Sequence, residues 1–132
     1  MSKINRESAV KEINGWLDYK RVSNKKRVDL EETIETLVEG VQEGYLKIND
    51  KFEIVHTLSF PVGENDAIKE LVYKPRLTVA EINNRTKGVK QGDADGRVKA
   101  YISALCGQGQ GVLGMLDSID FTIPQSIIVF FI

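Results

Sequence analysis

The hydrophobic spacing of this chain switches from helical to strand-like and back again, and those two switches confine it to a mixed fold. From Leu30 to Val41 the apolar positions Leu30, Ile34, Leu37, Val38 and Val41 recur three and four apart, which puts them on one helical face. The other face carries Glu31, Glu35, Glu39 and Glu43. A few residues later the period drops to two, with Phe52, Ile54, Leu58 and Phe60 alternating with Glu53, Thr57 and Ser59. Helical spacing returns after Thr78. A chain patterned this way needs helices to cover one face of a small sheet, because a hairpin alone is marginal in water.

The local signals divide the chain further. Val10, Ile13 and Leu17, with Trp16 beside them, predict a helix over about 5–19 despite Gly15. The basic stretch Lys20 to Arg27 reads as a solvated connector. Asp29 and Glu32 predict a carboxylate capping box for a helix over about 30–43, with Gly44 as its stop. Tyr45 to Ile48, a turn at Asn49-Asp50 and the segment from Phe52 to Phe60 predict two antiparallel strands, the second ended by Pro61. Ile68 to Tyr73 predicts a third. Thr78 and Glu81 form a second capping box ahead of a short helix closed by Gly88. Val98, Tyr101, Ile102 and Leu105 share a face of another, closed by Gly107. An apolar turn follows at Val112 to Leu116, and a last helical segment is expected from about Thr122, with Pro124 in its first turn and Ile123, Ile127 and Phe131 on one face. The fold class is α+β: an N-terminal helix pair, a small three-stranded antiparallel meander and a C-terminal helical segment. Residues 1–50 form a helical extension and 51–132 the α+β domain, expected to pack as one compact unit.

Charge and cysteine content remove several classes of function. The 18 basic and 19 acidic side chains nearly cancel, so no whole-chain field draws this molecule to nucleic acid or an anionic bilayer. One Cys and one His supply neither an internal disulfide nor a four-ligand His/Cys zinc site, and no cofactor or metal is expected. Charge interrupts the first twenty residues throughout, unlike a signal peptide. The longest apolar run, Ile127 to Ile132, falls far short of the ~20 residues of a membrane helix. Residence in the cytoplasm is the expectation.

Few residues suggest chemistry. Gly109-Gln110-Gly111-Val112-Leu113-Gly114 matches G-x-G-x-x-G, but a dinucleotide site needs a strand before it and a βαβ unit after it, so the segment reads as a helix-helix connector. His56 lies on the apolar face of its strand and reads as a packed histidine. Cys106 reads as a small buried hydrophobe. Asp93, Asp95 and Gly96 lack the central glycine and the final glutamate of a calcium loop and read as a helix cap. Lys20, Arg21, Lys25, Lys26 and Arg27 are the residues a nucleic-acid-binding module would use, but an acidic helix stands beside them and nucleic acid is the less favoured partner. The C-terminal run Ile127 to Ile132 has no polar residue, which points either to a core helix or to a surface that needs a partner.

The second half of the chain resembles a known family. Phe60-Pro61, the passage Ile68-Lys69-Glu70-Leu71-Val72-Tyr73-Lys74-Pro75-Arg76-Leu77-Thr78, then Ile102-Ser103-Ala104-Leu105-Cys106-Gly107 and Met115-Leu116-Asp117-Ser118-Ile119-Asp120-Phe121 together resemble the tail assembly chaperones of contractile-tailed (myovirus or Mu-like) phages and prophages. In that family a strand-to-helix passage precedes a helix ending in Leu-x-Gly, then L-x-x-L-D-x-x-D and an apolar C-terminal helix. The resemblance covers about residues 52–132 and leaves the first fifty unexplained. It implies a non-enzymatic protein of the host cytoplasm that binds the tape measure protein and keeps it soluble while the tail tube assembles, with self-association. The residues it nominates for client contact are Leu116, Ile119, Phe121, Ile127, Phe130 and Phe131. A structural tail or virion protein, and a small regulatory nucleic-acid-binding module, are the alternatives.

Overall fold

The computed structural model describes residues 3–132. Its elements are α1 (Arg6–Tyr19), α2 (Asn24–Asp29), α3 (Glu31–Glu43), β1 (Leu46–Ile48), β2 (Ile54–Val62), β3 (Ile68–Tyr73), α4 (Val79–Thr86), α5 (Ala94–Cys106), α6 (Gln110–Met115) and α7 (Ser118–Ile128). The class is α+β, with one antiparallel sheet in the order β1-β2-β3 and helices packed against it.

The helices form where stripe and cap agree. Asn5 accepts the Ser8 amide to start α1, which buries Ala9, Ile13, Trp16 and Leu17. Helix α3 lies against α1 and β1, buries Leu37, Val38 and Val41, and ends at Gly44, whose φ of 88° suits a residue without a side chain. Gly40 serves α3 differently. A Cβ there would stand 2.5 Å from Leu46 Cδ1, so its bare backbone lets the helix close onto β1. Across the solvent side Arg6 grips Glu35 with both terminal nitrogens.

In the sheet, β1 pairs from Leu46↔His56 to Ile48↔Ile54, and β2 pairs with β3 from Ile54↔Tyr73 to Thr57↔Glu70 and again at Val62↔Ile68. Residues 58–61 of β2 fall in the irregular gap. The inward residues Ile54, Leu58, Leu71 and Tyr73 meet α-helical side chains from both halves of the chain in one core, where Trp16 packs edge-on against Phe130 at 5.6 Å.

Six local expectations are corrected. The connector after α1 contains α2, six residues capped by the Ser23 hydroxyl on the Lys26 amide, so the N-terminal part has three helices and not a pair. Asp29 therefore ends α2 and does not cap α3, which starts at Leu30 with no side-chain cap. Strand β2 runs through Pro61 to Val62, because the missing amide falls in the gap where no strand asks for it. Val112 to Leu116 belongs mostly to α6, and the last helix opens at Ser118, capped by Asp117 on the Ile119 amide. Pro124 consequently sits inside α7, where it removes the bond its amide would make to the Asp120 carbonyl.

Two glycine substitutions should separate close approach from open space. Gly40→Ala should destabilise the protein by about 1–3 kcal/mol through overpacking on Leu46. Gly15→Ala, where nothing lies within 4 Å of the added carbon, should leave stability unchanged or raise it by up to about 1 kcal/mol. Urea unfolding midpoints of the two variants check both signs.

Candidate functional site at the α6–α7 corner

The corner is set by a buried carboxylate. Asp120, 2% exposed in the first turn of α7, accepts the Ser59 amide at 2.9 Å on Oδ1 and the Phe60 amide at 3.0 Å on Oδ2. Those two N–H groups lie in the stretch of β2 that has lost its strand partners, and Pro61 after them has no N–H to satisfy. Asp120 also stands 3.7 Å from His56 Nε2, while His56 Nδ1 meets the Tyr73 hydroxyl at 2.8 Å. Tyr73 is the diagonal cross-strand neighbour of His56 on the same sheet face, since Leu71 is its direct partner.

Burial pushes the His56 imidazole down to about 4, with the Asp120 charge pulling the other way. Burial likewise holds the Tyr73 hydroxyl well above its usual range. At neutral pH the protonation that serves all three groups has Tyr73 donating to Nδ1 and the Nε2–H directed at Asp120. Tyr45, Ser59, Ile119 and Thr122 complete a hollow of about 250 Å³ beside the pair. With His56 at 1% exposure and Tyr73 fully enclosed, the triad joins β2, β3 and α7 and offers no reacting atom at the surface.

Outside this anchor the helices present an apolar surface. Ile119 is 64% exposed and Met115 50%, while Leu116 and Phe121 are half-buried. The last two, with Leu113, Gly114, Lys99 and Gln110, line an open groove of about 370 Å³ between α5, α6 and α7. Of the six nominated residues, Leu116 and Phe121 thus line this groove, whereas Ile119 lines the separate hollow beside His56 and Asp120. Ile127, with no exposure, and Phe130, at 6%, belong to the core and cannot meet a client without opening it. Phe131 is half-buried on the far side, tilted against Trp16 at 6.4 Å and lying 3.4 Å beneath the Lys20 ammonium. Met115 was missed. Its place in an apolar stretch was legible, but its outward direction depends on where α6 stops.

The other motifs resolve plainly. Gly109 opens α6 after a helix and a turn, so no strand precedes the G-x-G-x-x-G run. Asp93 caps α5 on the Gly96 amide. Cys106 packs on the core, and burial raises its thiol above the ordinary range. No group of three or more His, Cys, Asp or Glu able to hold a metal occurs among the described residues, and no helix there is long and apolar enough to cross a membrane.

Comparison with protein-family models, with curated proteins and with solved structures finds no match to this chain.

The buried histidine makes stability depend on pH in a definite direction. An unfolded His56 titrates near 6.5 and the folded one near 4, so between these values the unfolded chain takes up a proton that the folded chain refuses. Stability should therefore fall as pH drops through that window, by up to about 3 kcal/mol, with no contribution above it. Urea unfolding at pH 7.5 and 4.5 should show a smaller acid loss in His56→Gln than in the parent chain. Equal losses would refute the assignment.

Proposed function

We propose that this chain is a non-enzymatic assembly chaperone, acting in the host cytoplasm, that binds an extended helical client, the tape measure protein of a phage tail, through the α6–α7 corner. The observation that carries the reading is the exposure of Met115 next to the groove floored by Leu113, Leu116 and Phe121, with Ile119 exposed across α7 at the rim of the His56–Asp120 hollow. An amphipathic helix docks in such grooves through apolar anchors three and four residues apart. Resemblance of residues 52–132 to tail assembly chaperones supports the same client, and the L-x-x-L-D-x-x-D run from Leu113 to Asp120 has a physical reading that suits it. Its leucines line the groove, Asp117 caps α7 and Asp120 ties α7 to the sheet.

One such corner covers a short part of a long client, so holding it soluble calls for several copies acting together, each contact weak. Self-association belongs to the proposal for that reason. Enclosure of the sole histidine favours binding over catalysis.

Co-expression with the tape measure protein tests the reading. The parent chain should keep that protein in the soluble fraction and co-purify with it. Ile119→Asp combined with Met115→Asp should cut the captured amount at least tenfold, as expected for losing two apolar anchors worth about 1–2 kcal/mol each. Its circular dichroism should be unchanged, because both positions face solvent. Recovery of the chain in finished particles, with no effect on tape measure solubility, would replace the proposal with a structural tail role.

A further inference from the structure

A second surface feature lies away from the α6–α7 corner, where α1 ends. Three cations converge there: Lys20, Lys26 of α2, and Arg76 from the link between β3 and α4. Each donates to a main-chain oxygen, Lys20 to Pro75 at 2.9 Å, Lys26 to Ile132 at 3.2 Å and Arg76 to Tyr19 at 3.1 Å. None of the three pairs with a side-chain carboxylate among the described residues. The nearby Asp18 is already held by Arg27 at 2.8 Å. Burial first, then the charges of Arg76 and Lys26, lower the Lys20 ammonium to about 8, so the cations are close enough to repel one another. Arg21, exposed beside them, has a left-handed backbone with φ of 56°. No side-chain carboxylate among the described residues answers the charge of Lys20, Lys26 and Arg76, and one bond each leaves two ammonium donors on either lysine and most of the Arg76 fork available.

We propose that this corner docks a short acidic segment of a partner protein, with carboxylates received by Arg76, Lys20 and Lys26. Charge complementarity selects the class of ligand, and the covering of the nearby aromatic rings selects protein over nucleic acid. Single-stranded nucleic acid needs free aromatic faces for its bases. Here Tyr19 is stacked on Phe52 at 4.2 Å and covered by Arg76 at 4.9 Å, and Phe131 lies beneath Lys20. The site is separate from the apolar groove and does not depend on the chaperone reading.

The test uses the full chain and two probes, a short oligoglutamate peptide and a single-stranded oligothymidylate of the same length. At about 50 mM salt the peptide should bind with a dissociation constant on the order of 10–100 μM, weakening at least tenfold by about 300 mM as screening grows. Arg76→Gln with Lys26→Gln should weaken it at least tenfold with the thermal midpoint little changed, and the Lys20 amine should titrate upward on peptide binding in the parent chain. Tighter binding of the oligothymidylate would overturn the choice of protein. Absence of peptide binding at low salt, or equal binding by the double variant, would overturn the site.

Discussion

Two amides of β2 outlive their strand, and the Asp120 carboxylate takes both. Strand β1 ends its pairing opposite His56, and β3 skips from Glu70 to Ile68, so Ser59 and Phe60 donate to nothing in the sheet. Each such donor buried without a partner costs about 1–3 kcal/mol, and a carboxylate buried without donors costs more. The pairing therefore stabilises both sides at once. It also fixes the rotation of α7. Successive helical residues turn by about 100°, so with Asp120 aimed at β2, Ile123 and Ile127 fall within about 60° of it and point into the core, while Ile119 and Phe121 flank it on opposite sides of the helix.

Elements whose signals are local were legible in the residues. Helices α1, α3, α4 and α5 carry their stripes and stops within a dozen positions, and Thr78, Gly44 and Gly107 cap as their types suggest. Helix α2 left no such trace, because it is six residues long and buries none of them. Asp29 and Glu32 had the spacing of a cap, but Ser23 had already started a helix that claimed Asp29. Pro61 and Pro124 were misplaced for a shared reason: whether a missing amide matters depends on which partner lies across from it, and sequence does not show that partner.

The nominated contact residues divide along the same line. Leu116, Ile119 and Phe121 were reachable from the run Leu116-Asp117-Ser118-Ile119-Asp120-Phe121. Ile127 and Phe130 were indistinguishable from them by composition, since a stretch with no polar residue has no face to read. The dividing signal is Asp120 itself, a buried acid whose partners lie 60 and 61 residues away. Only the paired structure shows which way it points.

The end of the chain shows why the first fifty residues matter to the rest. An apolar run as dense as Ile127 to Ile132 exceeds what the sheet and α5 can cover, and the excess is taken up by α1. Phe130 packs on Trp16, Phe131 carries the Lys20 ammonium on its ring, and Lys26 holds a main-chain oxygen of Ile132. The same contacts gather the cations whose charge no side-chain carboxylate among the described residues answers. Covering the apolar end with basic residues from α1 and α2 thus removes most of the C-terminal surface from any client and creates a charged corner in its place. Of the exposed apolar side chains, Met115 adjoins the groove between α5, α6 and α7, while Val28, Phe60, Val79, Ile119 and Ile132 lie elsewhere. A groove of that size binds weakly by itself, which fits the proposed role of holding a client in many copies at once.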